Sequence, residues 1–461
     1  MSIRHDVSIR SRDSADRDKP VDPADHPPSV RTVDHRQVGR DLGIFASDKL
    51  AGSGFPLWLP DGAAIVSELE QYILDVERGL GYRHVRTPPV GKRELYEISG
   101  HWQHFGPDMF PPIPLSRAGD LSDQQADDEA AASSESEEVV LRPVMCPHHF
   151  LVYRSRLRSY RELPLRIGEL GPQFRMERSG VVSGLTRVRG MLLNDAHVFC
   201  PVEQAAAEVD LALRMIDEAY DLLGIEPAYY RLSLRGPHKN GLSYAGSDEM
   251  WQRAEAILRE AFALHGIADF QATEGEAAFY GPKIDVQVYD AQGREFTLST
   301  VQVDLYQPEQ FDLSYMAPDG SRRRPAVVHR SVISTMERMV AYLLEASGGA
   351  LPPWLAPVQV AVLPVSPGEH EYAREVDRLC AGAGLRVEVD DRDESLGARI
   401  RVAQLRKVPF IAVVGSREVQ DGSVAVRLRD GRQAGTLPCD RFVAGVRKAV
   451  QRRQRDLVLR L

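Results

Sequence analysis

The sequence predicts an antiparallel α+β domain followed by a smaller α/β domain, and three observations carry that reading. A long hairpin pattern runs over 163–200, where "LPLRIGELGPQFRME" and "GLTRVRGMLLNDAHVFC" flank a Ser/Gly turn at 178–184. Strands and helices up to residue 347 do not alternate strictly, as a parallel sheet would require. After "GGALPPWLAP" (348–357), read as a Gly/Pro linker, the pattern changes to strand-like runs, "VQVAVLPV", "LRVEVD", "VPFIAVVG" and "SVAVRLR", with helical segments near 368–383 and 395–406.

Taken in order, residues 1–31 are polar, rich in Pro and Asp, and read as a disordered tail. From Asp61, the residues Ile65, Leu69, Tyr72, Ile73, Val76 and Leu80 recur at helical spacing, with a stop signal at Gly79–Gly81. A short strand, "YRHVRTP", ends at Pro88. Residues 116–138 hold eight acids and one Arg and read as a disordered acidic insertion. A strand and a helix then lead into the hairpin. A helix around 202–223 follows, then strands around 284–289, 295–304 and 326–329, and a helix at 331–346. The expected organisation is a tail (1–31), a domain over 32–350 interrupted by 116–138, and a second domain over 351–461.

Bulk composition narrows the class. The 461 residues are 43% hydrophobic and 27% charged, as in globular proteins. No run of 18 apolar residues exists, so no membrane span is expected, and the N-terminus lacks a secretory apolar core. Four cysteines lie far apart without a CxxC pair; the expected compartment is a reducing cytoplasm. The net charge of −9 argues against nucleic acid, but the acidic insertion carries most of it. The C-terminal "VRKAVQRRQRDLVLRL" has six basic residues and one acid, so RNA remains an open partner.

The candidate chemistry is ambiguous piece by piece. In "RVRGMLLNDAHVFC" (187–200), an unbroken strand would put Arg187, Arg189, Met191, Leu193, Asp195 and His197 on one face. That face suits the floor of a site better than a core. "FRME" (174–177) with Arg187 reads equally as an exposed ion-paired hairpin. "HRSVISTMERM" (329–339) reads as a helix whose Glu337 and Arg338 form a charged face. Cys146, His197 and His329 lack any local metal-ligand spacing.

Read together, the pieces change weight. A helix and strand ending at Pro88, then FRxE with a second Arg, then a late Glu-Arg helix follow the order of the three class II aminoacyl-tRNA synthetase motifs. Over residues 34–455 the chain resembles the threonyl-tRNA synthetases. It shares "DHRQVG", "SGHW", "CPHH", "SYRELPLRIGELGPQFRMERSG", "GLTRVRG", "DAHVFC", "AFYGPKID", "STVQVD", "HRSVISTMER", "WLAPVQV" and "GSVAVR". The resemblance implies a class II antiparallel-sheet catalytic domain and an α/β anticodon-binding domain. It implies activation of threonine with ATP and Mg²⁺, transfer to tRNA(Thr), and a homodimer.

The resemblance also assigns residues. Arg175 would hold the α-phosphate and the reacting carboxylate, Glu177 the adenine amino group, and Arg187 and Arg338 the outer phosphates. Cys146, His197 and His329 match the family's zinc ligands. Asp195 would accept from the threonine hydroxyl, Tyr280 and Gln302 would surround the amine, and Lys283 would lie beside the site. His101 matches a histidine thought to assist transfer. Arg401, Glu418 and Arg427 match anticodon-contacting positions; Asp393 stands where Asn is usual. About thirty residues precede the core, so the reading expects no editing domain and no cis hydrolysis of Ser-tRNA(Thr).

Several positions depart from the family pattern. Met191 stands where a Phe stacks on adenine, and Leu193 replaces a Gln. Ser334 replaces the motif glycine, Leu298 a smaller residue, Val144 a Met, and His148 the Gly of "CPGH". Three alternatives follow: an enzyme activating threonine, serine or an analogue for a biosynthetic acceptor, an inhibitor-tolerant second copy, or a noncatalytic tRNA-binding regulator. The anticodon-like domain speaks against the first. The retained Arg175, Arg338 and zinc ligands speak against the last.

Overall fold

The computed structural model describes residues 33–115, 137–237 and 244–459. The expected tail and most of the expected acidic insertion lie outside the described residues. Glu137 and Glu138, read from sequence as the insertion's end, instead open a strand, Glu137–Leu141, that pairs with 90–92 and 113–115.

The larger body is built on an eight-stranded sheet. Its strands in chain order are β1 (Arg83–His84), β2 (Leu165–Phe174), β3 (Gly190–Cys200), β4 (Tyr229–Leu234), β5 (Gln271–Glu274), β6 (Lys283–Tyr289), β7 (Glu295–Asp304) and β8 (Ala326–Ser331). In space they run β5-β4-β6-β7-β8-β3-β2-β1. The pairs from β4 through β6, β7, β8 and β3 to β2 are antiparallel; β5 and β1 add parallel edges. The antiparallel reading therefore holds, and sheet formation follows from runs such as "VVHRS" and "KIDVQVY" that favour a pleated surface.

Helices cover the two faces unequally. The first face packs against α1 (Pro60–Gly79), α3 (Ala205–Leu223), α4 (Asp248–His265) and α5 (Met336–Ser347), through residues such as Ile65, Leu213, Leu258 and Met339. The second face carries α2 (Cys146–Arg154), whose Phe150 and Tyr153 pack on Phe199, Ile167 and Val327, and two shorter helices, Arg93–Ile98 and His101–Phe105, which join the same core through Tyr96 and Phe105. Along β3, Ala196 and Val198 belong to the first core and Phe199 to the second. The odd-numbered residues thus face α2, and the sheet is open there beyond the end of that helix.

Two expected elements start later than the sequence indicates. β3 begins at Gly190, which leaves Arg187 and Arg189 in the preceding loop. Arg189 explains the break. Its backbone N–H donates to Gly54 O (2.8 Å), its Nε to Glu177 O (2.9 Å), and its carbonyl accepts from Arg175 N–H (2.9 Å). These bonds tie the chain to two loops instead of a strand partner. The helix expected at 331–346 begins at Met336, and His329–Ser331 are strand. Between them Ser334 sits at φ 60°, a left-handed turn that accounts for glycine being usual there.

In the smaller body, β9 (Val360–Pro364), β10 (Val387–Val389), β11 (Phe410–Val414), β12 (Ser423–Leu428) and β13 (Gln433–Pro438) are ordered β10-β9-β11-β12-β13. The first three are parallel and the last two antiparallel, so a βαβ core is extended by a hairpin. Helices α6 (His370–Gly382) and α8 (Cys439–Gln451) cover one face, and α7 (Leu396–Leu405) the other. The stretch 348–357 is not a solvated linker. Leu351, Trp354 and Leu355 are buried in the main core, and Trp354 lies 5.9 Å from the Tyr72 ring. No helix among the described residues is long and apolar enough to cross a membrane.

Candidate functional site

β3 and β8 are registered so that His197 faces His329, and β7 continues the row by pairing Gln302 with His329. α2 begins at Cys146 above that row. The sulfur of Cys146 and one nitrogen each from His197 and His329 lie within 4.8 Å of one another, and all three residues are buried. His329 Nε2 is 2.9 Å from Asp304 Oδ2, so its Nδ1 is the atom left to face the cluster. His197 Nδ1 is 2.8 Å from His149 Nδ1, which leaves Nε2; that nitrogen lies 4.0 Å from Asp195 Oδ1. Burial pushes the Cys146 thiol well up and the Asp195 carboxyl up as well.

These features fit a divalent metal of the zinc kind. One sulfur and two imidazoles make a three-donor set with room for further ligands. Both histidines have their outer nitrogens held by partners, as ligating histidines do. A second acid–histidine group, Asp34, His35 and Glu345, does not fit a metal. There His35 Nε2 accepts from Leu185 N–H (3.1 Å) and Nδ1 binds Glu345 Oε1 (2.7 Å), leaving no lone pair.

Along the same face of β3, toward its start, stand Asp195, Leu193 and Met191. Beyond them lie three cations, Arg175 and Arg187 in loops and Arg338 on a helix. Arg175 follows β2 and donates from Nε to Pro143 O (3.4 Å). Arg338, in the first turn of α5, donates to Thr297 O (3.2 Å), while Thr335 caps the helix through Arg338 N–H (3.1 Å). Arg187 is paired with Glu177 (2.9 Å) and its side chain is 53% exposed, so it can swing toward a ligand. Burial lowers the Arg338 pKa, and the Arg175 and Arg187 charges lower it further. Burial likewise lowers that of Arg175, against Glu177, Tyr280 and Asp195. Like charges held together in this partly buried setting are unfavourable until an anion joins them.

The remaining predicted residues fall nearby or elsewhere. His101 is fully buried; Ser99 Oγ donates to Tyr96 O (3.2 Å) and so accepts from His101 Nδ1–H (2.8 Å). His101 Nε2 then carries the lone pair, 3.8 Å from Cys146 Sγ. Burial, with His329 and His104 nearby, lowers its pKa to about 3, so it is neutral at neutral pH. The Tyr280 ring lies 5.3 Å from that of His329 and 5.8 Å from that of His101. Gln302 commits Nε2 to Gly281 O (2.9 Å). Lys283 is ion-paired to the buried Asp285. Leu298, at an irregularity between β6 and β7, is buried in the main core. In the smaller body Arg401 is exposed on α7, Arg427 is half-buried on β12, and Glu418 accepts from Gly415 N–H (3.0 Å).

Sequence reading passed over three site residues: His149, Glu169 and Asp304. Glu337, read from the sequence as part of a charged helix face, is instead 4% exposed. That carboxylate is buried beneath the site, accepts from Leu192 N–H (3.1 Å), and burial raises its pKa to about 7. Its folded value lies above the unfolded 4.5, so the stability it contributes is complete below 4.5 and is lost as pH rises through about 7. Glu337→Gln keeps an acceptor for Leu192. It is expected to flatten the fall in denaturant stability between pH 5 and 8, with a gain on the order of 2–3 kcal/mol at pH 8. An unchanged slope would refute this account.

A buried sulfur–imidazole cluster beside clustered arginines on an open antiparallel sheet defines a class II aminoacyl-tRNA synthetase core. Residues 130–347 match the tRNA synthetase class II core domain (G, H, P, S and T), and 359–449 match the anticodon binding domain. The chain is 49% identical over 412 residues to the threonine--tRNA ligase of Geobacillus kaustophilus, covering 89% of this chain and 60% of that protein. It is 48% identical to threonine--tRNA ligase 1 of Bacillus subtilis, over 89% of this chain and 61% of the relative. A solved structure, the RNA binding domain of threonyl-tRNA synthetase from Cryptosporidium parvum, superposes with a TM-score of 0.82. It shares 33% identity over 90% of this chain and 98% of that one. The chain belongs to the threonyl-tRNA synthetase family. It spans about 60% of the length of the curated relatives it matches.

Proposed function

We propose that this chain activates threonine with ATP and transfers it to tRNA(Thr). The observation that carries the reading is the juxtaposition, along one face of β3, of the Arg175/Arg338 pair and the Cys146–His197–His329 donor set with Asp195 beside it. One end suits polyphosphate, and the other suits a small amino acid bearing a hydroxyl.

In this reading Cys146, His197 and His329 hold Zn²⁺. When bound, that ion is a Lewis-acidic centre for the amine and hydroxyl of threonine, which valine cannot match. Asp195 accepts from the substrate hydroxyl. Gln302, with its amide N–H spent on Gly281, offers its carbonyl oxygen to an N–H of the substrate amine beside Tyr280. ATP enters with Mg²⁺; Glu177 reads the adenine amino group, and Met191 covers the ring. Arg187 and Arg338 take the outer phosphates. Arg175 bridges the α-phosphate and the attacking carboxylate, where fixed guanidinium forks offset the charge that builds as pyrophosphate leaves. His101 Nε2, unprotonated at neutral pH, is placed to assist transfer to tRNA, and Lys283 borders the site through Asp285. Arg401, Glu418 and Arg427 contact the anticodon, and the enzyme acts as a homodimer.

The test is ATP–pyrophosphate exchange with threonine, serine and valine, followed by charging of tRNA(Thr). Threonine should support exchange, serine weakly, valine not at all. Serine lacks only a methyl, a difference of roughly 1–3 kcal/mol in binding. No exchange with any of them would refute the enzyme reading, and exchange without charging would point to another acceptor. Cys146→Ser is expected to lose bound zinc, by elemental analysis, together with discrimination against valine.

A further inference from the structure

Behind His197 the structure holds a buried chain of polar groups that the proposed chemistry does not use. His149, on α2, sets Nδ1 2.8 Å from His197 Nδ1 and Nε2 3.0 Å from Glu169 Oε2. Glu169, on β2, is 3% exposed and accepts on both oxygens. Thr87 N–H (3.1 Å) and Arg142 Nη2 (3.1 Å) reach Oε1; Thr87 Oγ1 (2.7 Å) and His149 reach Oε2. Arg142 is fully buried and also donates to Pro172 O (2.6 Å) and Thr87 Oγ1 (2.6 Å). It fits because residue 171 is glycine, whose added Cβ would lie 2.3 Å from Arg142 Nη2.

The direction of these bonds follows from chemistry. A carboxylate only accepts, so His149 Nε2 carries a hydrogen. A metal ligand needs a free lone pair, so in the metal reading the hydrogen of His197 sits on Nδ1, the nitrogen turned to His149, and His149 accepts it at its own Nδ1. The lone pair of His197 is thereby fixed at Nε2, the nitrogen on the Asp195 side that faces Cys146 and His329.

We infer that His149 and Glu169 are positioning residues that hold His197 in the Nδ1–H tautomer and aim its Nε2 lone pair at the metal position. The inference rests on the metal reading above. It adds a second outer pair, Glu169–His149, to the direct Asp304–His329 pair, so each ligating imidazole has its own orienting carboxylate.

The test compares zinc affinity, by chelator competition on the full chain, for the wild type, His149→Leu and His149→Asn. Leucine fills the space without an acceptor. Asparagine places its amide oxygen near the former Nδ1 and can still accept from His197. Loss of an outer partner typically weakens metal binding by roughly 10–100-fold, which is the expectation for His149→Leu, with His149→Asn recovering most of it. A merely structural role would lower thermal stability equally in the metal-free variants without this ordering. In metal-free wild type labelled with ¹⁵N-histidine, His197, assigned through His197→Asn, should show the Nδ1–H tautomer.

Equal zinc affinity in His149→Leu and wild type, or an Nε2–H tautomer for His197, would overturn the inference while leaving the metal reading intact. Failure of the wild type to take up zinc would overturn both. Should His149→Leu not fold, the tautomer of the wild-type protein decides alone.

Discussion

Arg175→Ala is expected to slow threonine-dependent ATP–pyrophosphate exchange by about 10²–10³-fold, the loss that accompanies removal of one preorganised donor from a developing anion. Its other effect separates it from a folding defect. Arg175 is held by a backbone bond to Arg189 O (2.9 Å) and a long contact to Pro143 O (3.4 Å), and its guanidinium makes no ion pair among the described residues. Burial and its own charge disfavour the neighbouring Arg338 in the absence of an anion. Removing Arg175 should therefore leave thermal stability unchanged or slightly higher while activity collapses. Arg175→Lys should not restore the rate, because a point charge cannot form two parallel bonds to phosphate and carboxylate. Exchange within threefold of wild type in Arg175→Ala would remove this residue from the proposed chemistry.

The central hairpin was legible in the sequence because two strand-like runs flank the Ser/Gly turn at 178–184, whereas β4, α4 and β5 were not read. The boundaries around the site were less legible, for an identifiable reason. Arg187, Arg189 and Ser334 sit where backbone groups bond to distant loops or turn through positive φ, so local pattern does not describe them. The candidate donor trio was recognisable only through motif resemblance, since strand register brings His197 to His329 and the packing of α2 brings Cys146 to both. His149 and Glu169 were missed because each, read locally, is an ordinary residue on a helix or strand. Their meaning depends on a contact spanning 20 residues. "GGALPPWLAP" misled in the opposite direction: its Gly and Pro signal a linker, but Trp354 and Leu355 are buried.

Glu77→Ala is expected to destabilise the chain by about 3–5 kcal/mol, the cost of leaving a buried charge without its partner. Glu77, on α1, is 1% exposed and pairs with Arg330 (2.8 Å), which is also fully buried and lies 4.3 Å from the centre of the Tyr82 ring. It also receives Asn194 Nδ2 (2.8 Å) and contacts His84 Nε2 (2.5 Å). Gly168 lets it approach: a Cβ there would lie 3.1 Å from Glu77 Oε2. Burial pushes its carboxyl up, but Arg330, His84 and Asn194 outweigh burial and hold it below the usual range. The network's contribution is thus present above about pH 4.5, the carboxylate's unfolded value, and is lost as pH falls through the lowered one. A denaturation series should show wild type and Glu77→Ala converging in acid. Replacing both partners, Glu77→Leu with Arg330→Met, should recover much of the loss, because an apolar pair of similar volume leaves no uncompensated charge. Single and double variants that add without coupling would refute the network as a unit. Asn194 stands on β3 between Leu193 and Asp195 and faces away from the site. Cutting its tie to α1 therefore loosens the strand that carries Asp195 and His197, and on the proposed function Glu77→Ala should raise the KM for threonine even at temperatures where the chain stays folded.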